Sequence, residues 1–286
     1  MSDPEVIPII AEDGVSNRLT AFDEGELSAD SPVLLVKPAL GVRASFYAPL
    51  AAPFAEIGMR IVTADLRGHG ESAVRPGRTT RFGYREMVES DLPAEVDALE
   101  ARYPDAPILL LGHSLGGQLS LLFAATHPGR ISAVVGVATC SVYWRAYPAA
   151  LRLLILLGTQ LTPVIGGLVG HFPGDRLGFG GKESVGLMRD WARQARTGLY
   201  EPAGSSVDYE AALRQSRVPA LLATLPGDHY APASAADHLA GKLDPRVVTR
   251  RNLGEPRIAN PHFGWVRQAE SIAPVVGDWW LEVQGE

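Results

Sequence analysis

One stretch of eleven residues constrains this chain more than any other: Ile108-Leu109-Leu110-Leu111-Gly112-His113-Ser114-Leu115-Gly116-Gly117-Gln118. Its aliphatic run predicts a buried strand, and an apolar helical stretch to His127 follows with no linker between them. A strand that turns directly into a helix holds its corner residue in a strained backbone geometry and needs small residues two positions to either side. Gly112 and Gly116 supply them, and the corner residue is Ser114. That corner lifts the Ser114 hydroxyl above the sheet, at a helix N-terminus whose free N–H groups and positive dipole end stabilise a developing oxyanion. The Leu115 N–H is the natural donor.

The rest of the chain repeats the same rhythm. Val33–Val36, Ile61–Ala64, Ala133–Val137, Ala220–Ala223 and Val247–Val248 are short apolar runs near Gly, Pro or Asp. Between them lie helical stretches, among them 46–57, 85–103, 234–239 and 269–283. Strands alternating with helices predict an α/β fold with a mostly parallel sheet and right-handed crossovers. Val6–Ile10 and Arg18–Phe22 are read as an antiparallel edge. The rhythm breaks from 141 to 206, which predicts a cap (lid) of 141–206 inserted into a core domain of 1–140 and 207–286. Within that cap, Leu153–Gly170 carries no charge and approaches the length of a membrane span. Gly158, Pro163, Gly166 and Gly167 argue for two short helices there, buried or amphipathic, and against stable membrane insertion.

The strand, G-x-S-x-G and helix together resemble the α/β-hydrolase fold superfamily. So does Asp65-Leu66-Arg67-Gly68-His69-Gly70-Glu71-Ser72, and Pro38-Ala39-Leu40-Gly41-Val42 is similar to one branch of that superfamily. The resemblance covers about 32–137 and 218–283. It implies an eight-stranded, mostly parallel sheet and a chain order of serine, acid, histidine. On that order His262, in the loop before the last helix, is the base. Asp228, in Gly227-Asp228-His229-Tyr230-Ala231-Pro232, is the acid, with Asp237 and Asp244 as alternatives and His229 as a second candidate base. Gly227 stands closer to the acid than is usual in the family. The second oxyanion donor is placed after the strand Val33–Val36, on Leu40, with Ala39 and Gly41 also open, because Pro38-Ala39 replaces the family's His-Gly. Asp65 and His69 are expected to serve as hydrogen-bonded loop residues.

These residues imply a serine esterase acting on a small or medium apolar acyl or aromatic substrate through an acyl-enzyme on Ser114. Thioesterase, lipase-like, perhydrolase and carbon–carbon bond hydrolase chemistry stay open on the same residues, as does a ligand-binding protein without turnover. No cofactor is expected, since the sequence holds no G-x-G-x-x-G, no phosphate-binding loop and no cluster of metal ligands. The 26 basic residues against 32 acidic ones give a net charge of -6 with no basic run, which argues against a nucleic-acid partner. A single cysteine, Cys140, and an acidic N-terminal stretch place the expectation in the cytoplasm, as a monomer or homodimer. Cys140 itself reads as a small buried apolar side chain.

Overall fold

The central strands form where the sequence is apolar on both faces. Val33–Lys37 (β3), Arg60–Ala64 (β4), Ile108–His113 (β5) and Ala133–Val137 (β6) are buried at every position, as parallel strands covered on both sides by helices must be. Strand alternation sorts their side chains into two cores. Val33, Leu35, Val62, Leu110 and Val134 enter one, while Leu34, Val36, Ile61, Leu109, Leu111 and Val135 enter the other.

The computed structural model describes residues 3–22, 27–254 and 260–285, so Met1 and Ser2 of the acidic start lie outside it. Glu5–Ile10 (β1) and Ser16–Phe22 (β2) form the expected antiparallel edge, and Ala220–Thr224 (β9) and Val248–Asn252 (β10) complete the other side. The sheet has eight strands in the order β1-β2-β4-β3-β5-β6-β9-β10, with every pair from β4 to β10 parallel. β10 begins at Val248 and runs on through Thr249-Arg250-Arg251-Asn252, four residues beyond the apolar pair that announced it. Its outer edge faces solvent, so it needs no apolar alternation.

One face of the sheet is covered by Ala51–Glu56 (α1) and Ala269–Gln284 (α11), while Ala233–Ala240 (α9) gives Ala235 and Ala236 to this core and Leu239 and Ala240 to the other. The other carries Leu92–Arg102 (α3), Leu115–Thr126 (α4) and Tyr209–Gln215 (α8). The helical stretch predicted over 85–103 is three pieces: Tyr84–Glu86 (α2), a π-turn over Met87–Asp91, and α3.

Where β3 ends, the Lys37 ammonium donates to both carboxylate oxygens of Glu95 on α3, each at 2.6 Å, with both side chains buried. Burial pushes the Glu95 carboxyl up to about 7, against the pull of Lys37. Removing one partner strands the other charge in the core. Lys37→Met is therefore expected to lose about 3–5 kcal/mol of unfolding free energy in urea, and Lys37→Met with Glu95→Leu to recover most of it. A single variant as stable as wild type would show that the pair carries no such burden.

Between β6 and α8 the chain leaves the sheet. There the expectation of two short helices fails: Arg152–Val169 (α5) is one continuous helix of 18 residues. Pro163 deprives the Thr159 carbonyl of its helical partner, but the Thr162 hydroxyl donates to that carbonyl at 2.9 Å, so the helix survives the proline. It ends at Gly170 with φ 101°. The segment between β6 and α8 is also not wholly helical. Phe172–Pro173 (β7) pairs antiparallel with Lys182–Glu183 (β8) around Gly174–Leu177 (α6), before Val185–Thr197 (α7) packs on α5.

Candidate active site

Ser114 sits at the corner between β5 and α4 with φ 54° and ψ −114°, a positive-φ backbone that few non-glycine residues adopt. Close packing explains the flanking glycines. A Cβ on Gly112 would fall 2.2 Å from the Gly117 Cα, and one on Gly116 would fall 2.0 Å from the Lys37 carbonyl oxygen. Strand, corner and helix are thus pressed together with no room for a side chain, and the elbow cannot relax its strain. The first N–H groups of α4, Leu115 among them, have no acceptor within the helix.

Asp228 lies just past the end of β9. Gly227, with φ 76°, follows Pro226 in a tight turn closed by Asp228 N–H to Leu225 C=O at 3.2 Å, the residue choice of a type II turn. This is how a glycine next to the acid is accommodated. The Asp228 Oδ1 accepts from the N–H groups of Tyr230 (2.9 Å) and Ala231 (3.0 Å), while Oδ2 faces His262 Nδ1 at 2.8 Å. Both groups are buried, at 5% and 4% exposure. His262 stands in a short helix, Pro261–Gly264 (α10), which Asn260 starts with φ 56°. Because a carboxylate only accepts, the proton of this pair resides on Nδ1, and Nε2 is left with a free lone pair.

The loop after β3 is fixed by a contact no sequence pattern announced. The Ala39 N–H donates to the Tyr47 hydroxyl at 2.9 Å, and that hydroxyl lies 2.7 Å from His113 Nδ1. With its oxygen accepting from Ala39, Tyr47 donates its own proton to His113, whose ring is fully buried and held neutral, its pKa driven down first by burial and then by nearby His262. The chain from Ala39 through Tyr47 to His113 ties the loop to the residue preceding Ser114. It also removes Ala39 from the three candidate donors, leaving Leu40 and Gly41. Tyr47 is missed by sequence because its partner is 66 residues away.

Ser114, Leu115, Leu40 and His262 line one cavity of about 450 Å³, together with Leu154, Ile155, Thr159, Phe172, Phe179 and Trp191 from the cap. From the same segment, Leu187 and Met188 belong to the hydrophobic core, and Leu153, Leu157 and Val164 are exposed. Tyr147 lines the cavity and donates to the Tyr230 carbonyl at 2.9 Å. Cys140 also reaches it, but burial pushes its thiol up to about 12, so it is no nucleophile near neutral pH.

The remaining candidates are placed elsewhere. Asp237 pairs with Arg250 and Asp244 with Arg217 and Arg246, all on the surface. His229 is exposed at the cavity rim. Asp65 accepts from the Ala44 N–H at 2.7 Å and the Glu71 N–H at 3.0 Å, and His69 Nε2 lies 3.2 Å from Glu183 of the cap. Both are loop-holding contacts. Among the described residues no group of His, Cys, Asp and Glu could hold a metal ion.

Residues 31–159 match the sequence model of the alpha/beta hydrolase fold. The alpha/beta hydrolase GrgF from Penicillium sp. sh18 superposes with a TM-score of 0.66 at 20% identity, over 99% of both chains. This chain has the α/β-hydrolase fold. The monoglyceride lipase of Mus musculus is 33% identical over 103 residues, which is 36% of this chain and 33% of that relative. Protein phosphatase methylesterase 1 of Bos taurus is 35% identical over 100 residues, 35% of this chain and 25% of its own. The matched segments thus span a third or less of those curated relatives.

Proposed function

We propose that this α/β hydrolase cleaves carboxylic esters through an acyl-enzyme on Ser114. The observation that carries the reading is the buried His262–Asp228 pair at 2.8 Å, with His262 lining the same cavity as a strained serine at a helix N-terminus. An unactivated hydroxyl is a weak nucleophile. His262, oriented through Nδ1 by Asp228, takes the Ser114 proton at Nε2 as Oγ bonds to the ester carbonyl carbon. The N–H group of Leu115, with that of Leu40 or Gly41, holds the resulting oxyanion. As the C–O bond to the alcohol breaks, His262 returns the proton to the departing oxygen. Water then repeats the sequence on the acyl-enzyme, its proton passing through His262 to Ser114, and the carboxylic acid leaves.

Two named relatives, a monoglyceride lipase and a methylesterase, support ester cleavage as the reaction class. The apolar cap wall of Leu154, Ile155, Phe172, Phe179 and Trp191 supports an apolar acyl group as the part of the substrate it encloses. A panel of p-nitrophenyl esters of rising acyl length tests this. Each methylene moved from water into the cavity is worth about 0.8 kcal/mol, so kcat/KM should climb by about fourfold per methylene until the space is filled, then fall. A profile that declines from acetate onward would contradict an acyl pocket.

A further inference from the structure

Seven of the fourteen large apolar side chains that remain exposed among the described residues belong to α5. Leu153, Leu157, Leu161, Val164 and Leu168 recur at intervals of four, four, three and four, which puts them on one helix face, and each is 54–74% exposed. The opposite face is committed to the protein: Thr159, Thr162 and Gly166 are buried there. Such a row of bare aliphatic side chains is costly in water and marks a docking surface. Leu154 and Leu161 belong at once to this exposed surface and to the lining of the cavity that holds Ser114, so the apolar face runs into the mouth of the site.

Charge identifies what fits against it. Across 141–182 the chain carries Arg145, Arg152, Arg176 and Lys182 against a single acid, Asp175, within a protein whose net charge is -6. All four cations are exposed, and they flank the two ends of α5. Arg78, also exposed, donates to the Leu168 carbonyl at the helix's last turn. A second copy of this chain meeting the same face would bring like charges together. An anionic lipid surface would meet them with opposite charge.

We propose that the outer face of α5 docks on an anionic phospholipid bilayer, the helix lying in the headgroup boundary with its aliphatic row in the acyl region and the flanking arginines and lysine among the phosphates. The inner face stays packed on α7, so the helix lies on the membrane and does not cross it. Docking of this kind is independent of the ester chemistry and is read without turnover.

Flotation with vesicles of equal phosphatidylcholine and phosphatidylglycerol tests it. Wild type should float with them at low salt, less at high salt, and less with phosphatidylcholine alone. Leu157→Glu with Leu168→Glu, at exposed positions outside the cavity, should weaken binding by more than about tenfold, and Arg145→Glu with Arg152→Glu should remove the preference for anionic lipid. A polarity-sensitive dye on Leu157→Cys, selective because Cys140 is buried, should shift to the blue on the same vesicles. Wild type that stays with the buffer at low salt, or a double-glutamate variant that floats as wild type does, would overturn the proposal. So would a dye that reports water on the vesicle, or a wild-type dimer that the same variant dissolves in the absence of vesicle binding.

Discussion

Ser114→Ala is expected to lower ester turnover by about a millionfold while leaving the fold intact. Removing the nucleophile removes both bond-forming steps, and in serine hydrolases a single loss of this kind costs about as much as losing the whole catalytic group. Alanine brings no larger demand on the corner than serine does, because its Cβ occupies the same place at φ 54°. Matched melting temperatures would separate chemistry from folding. A variant that keeps a tenth of wild-type kcat/KM would mean that another group attacks the ester, and the assignment of Ser114 would be lost.

Asp228→Asn is expected to cost about 10⁴ in kcat with little change in KM. The Tyr230 and Ala231 N–H groups can still donate to an amide oxygen, so the loop keeps its shape. What changes is the group facing His262. An amide nitrogen donates where the carboxylate accepted, and His262 then settles in the tautomer whose Nε2 carries the proton and cannot take one from Ser114. Asp228→Glu tests geometry in the same pair, since it preserves the charge and misplaces it. A folded Asp228→Asn variant with nearly full activity would point to Asp228 as a loop fastener only, since the imidazole would then need no carboxylate.

The sequence was most readable where one physical requirement dominates. Buried parallel strands must be apolar on both faces, and β3 to β6 announce themselves by short, mostly aliphatic runs. The elbow was legible because two glycines and a serine between strand and helix admit few other arrangements, and the structure shows the contacts that exclude any side chain at 112 and 116. The positions of Asp228 and His262 could be read from the loops that follow β9 and precede α11, although nothing local says that the two side chains meet at 2.8 Å.

Where distant groups decide, the sequence was opaque. Pro163 carries a strong local message to end a helix, and one hydroxyl, that of Thr162, cancels it by occupying the carbonyl the proline leaves free. β10 is mostly polar because its outer edge meets solvent, so only its first residue had the apolar character that signals a strand. Tyr47 looked like a residue near a helix start, yet its hydroxyl holds the Ala39 N–H and His113 together across three segments of the chain. That link is what narrows the second oxyanion donor to Leu40 or Gly41, a choice that periodicity and motif could not make.

The central claim is that Ser114 is an activated nucleophile, and intact mass after treatment with a fluorophosphonate tests it most directly. Wild type should gain one adduct, mapped to Ser114, and Ser114→Ala should gain none. His262→Ala should react far more slowly, because the proton of Ser114 then has no acceptor. A folded wild-type protein that takes up neither the fluorophosphonate nor a smaller organophosphate, or an adduct that persists in Ser114→Ala, would contradict the account.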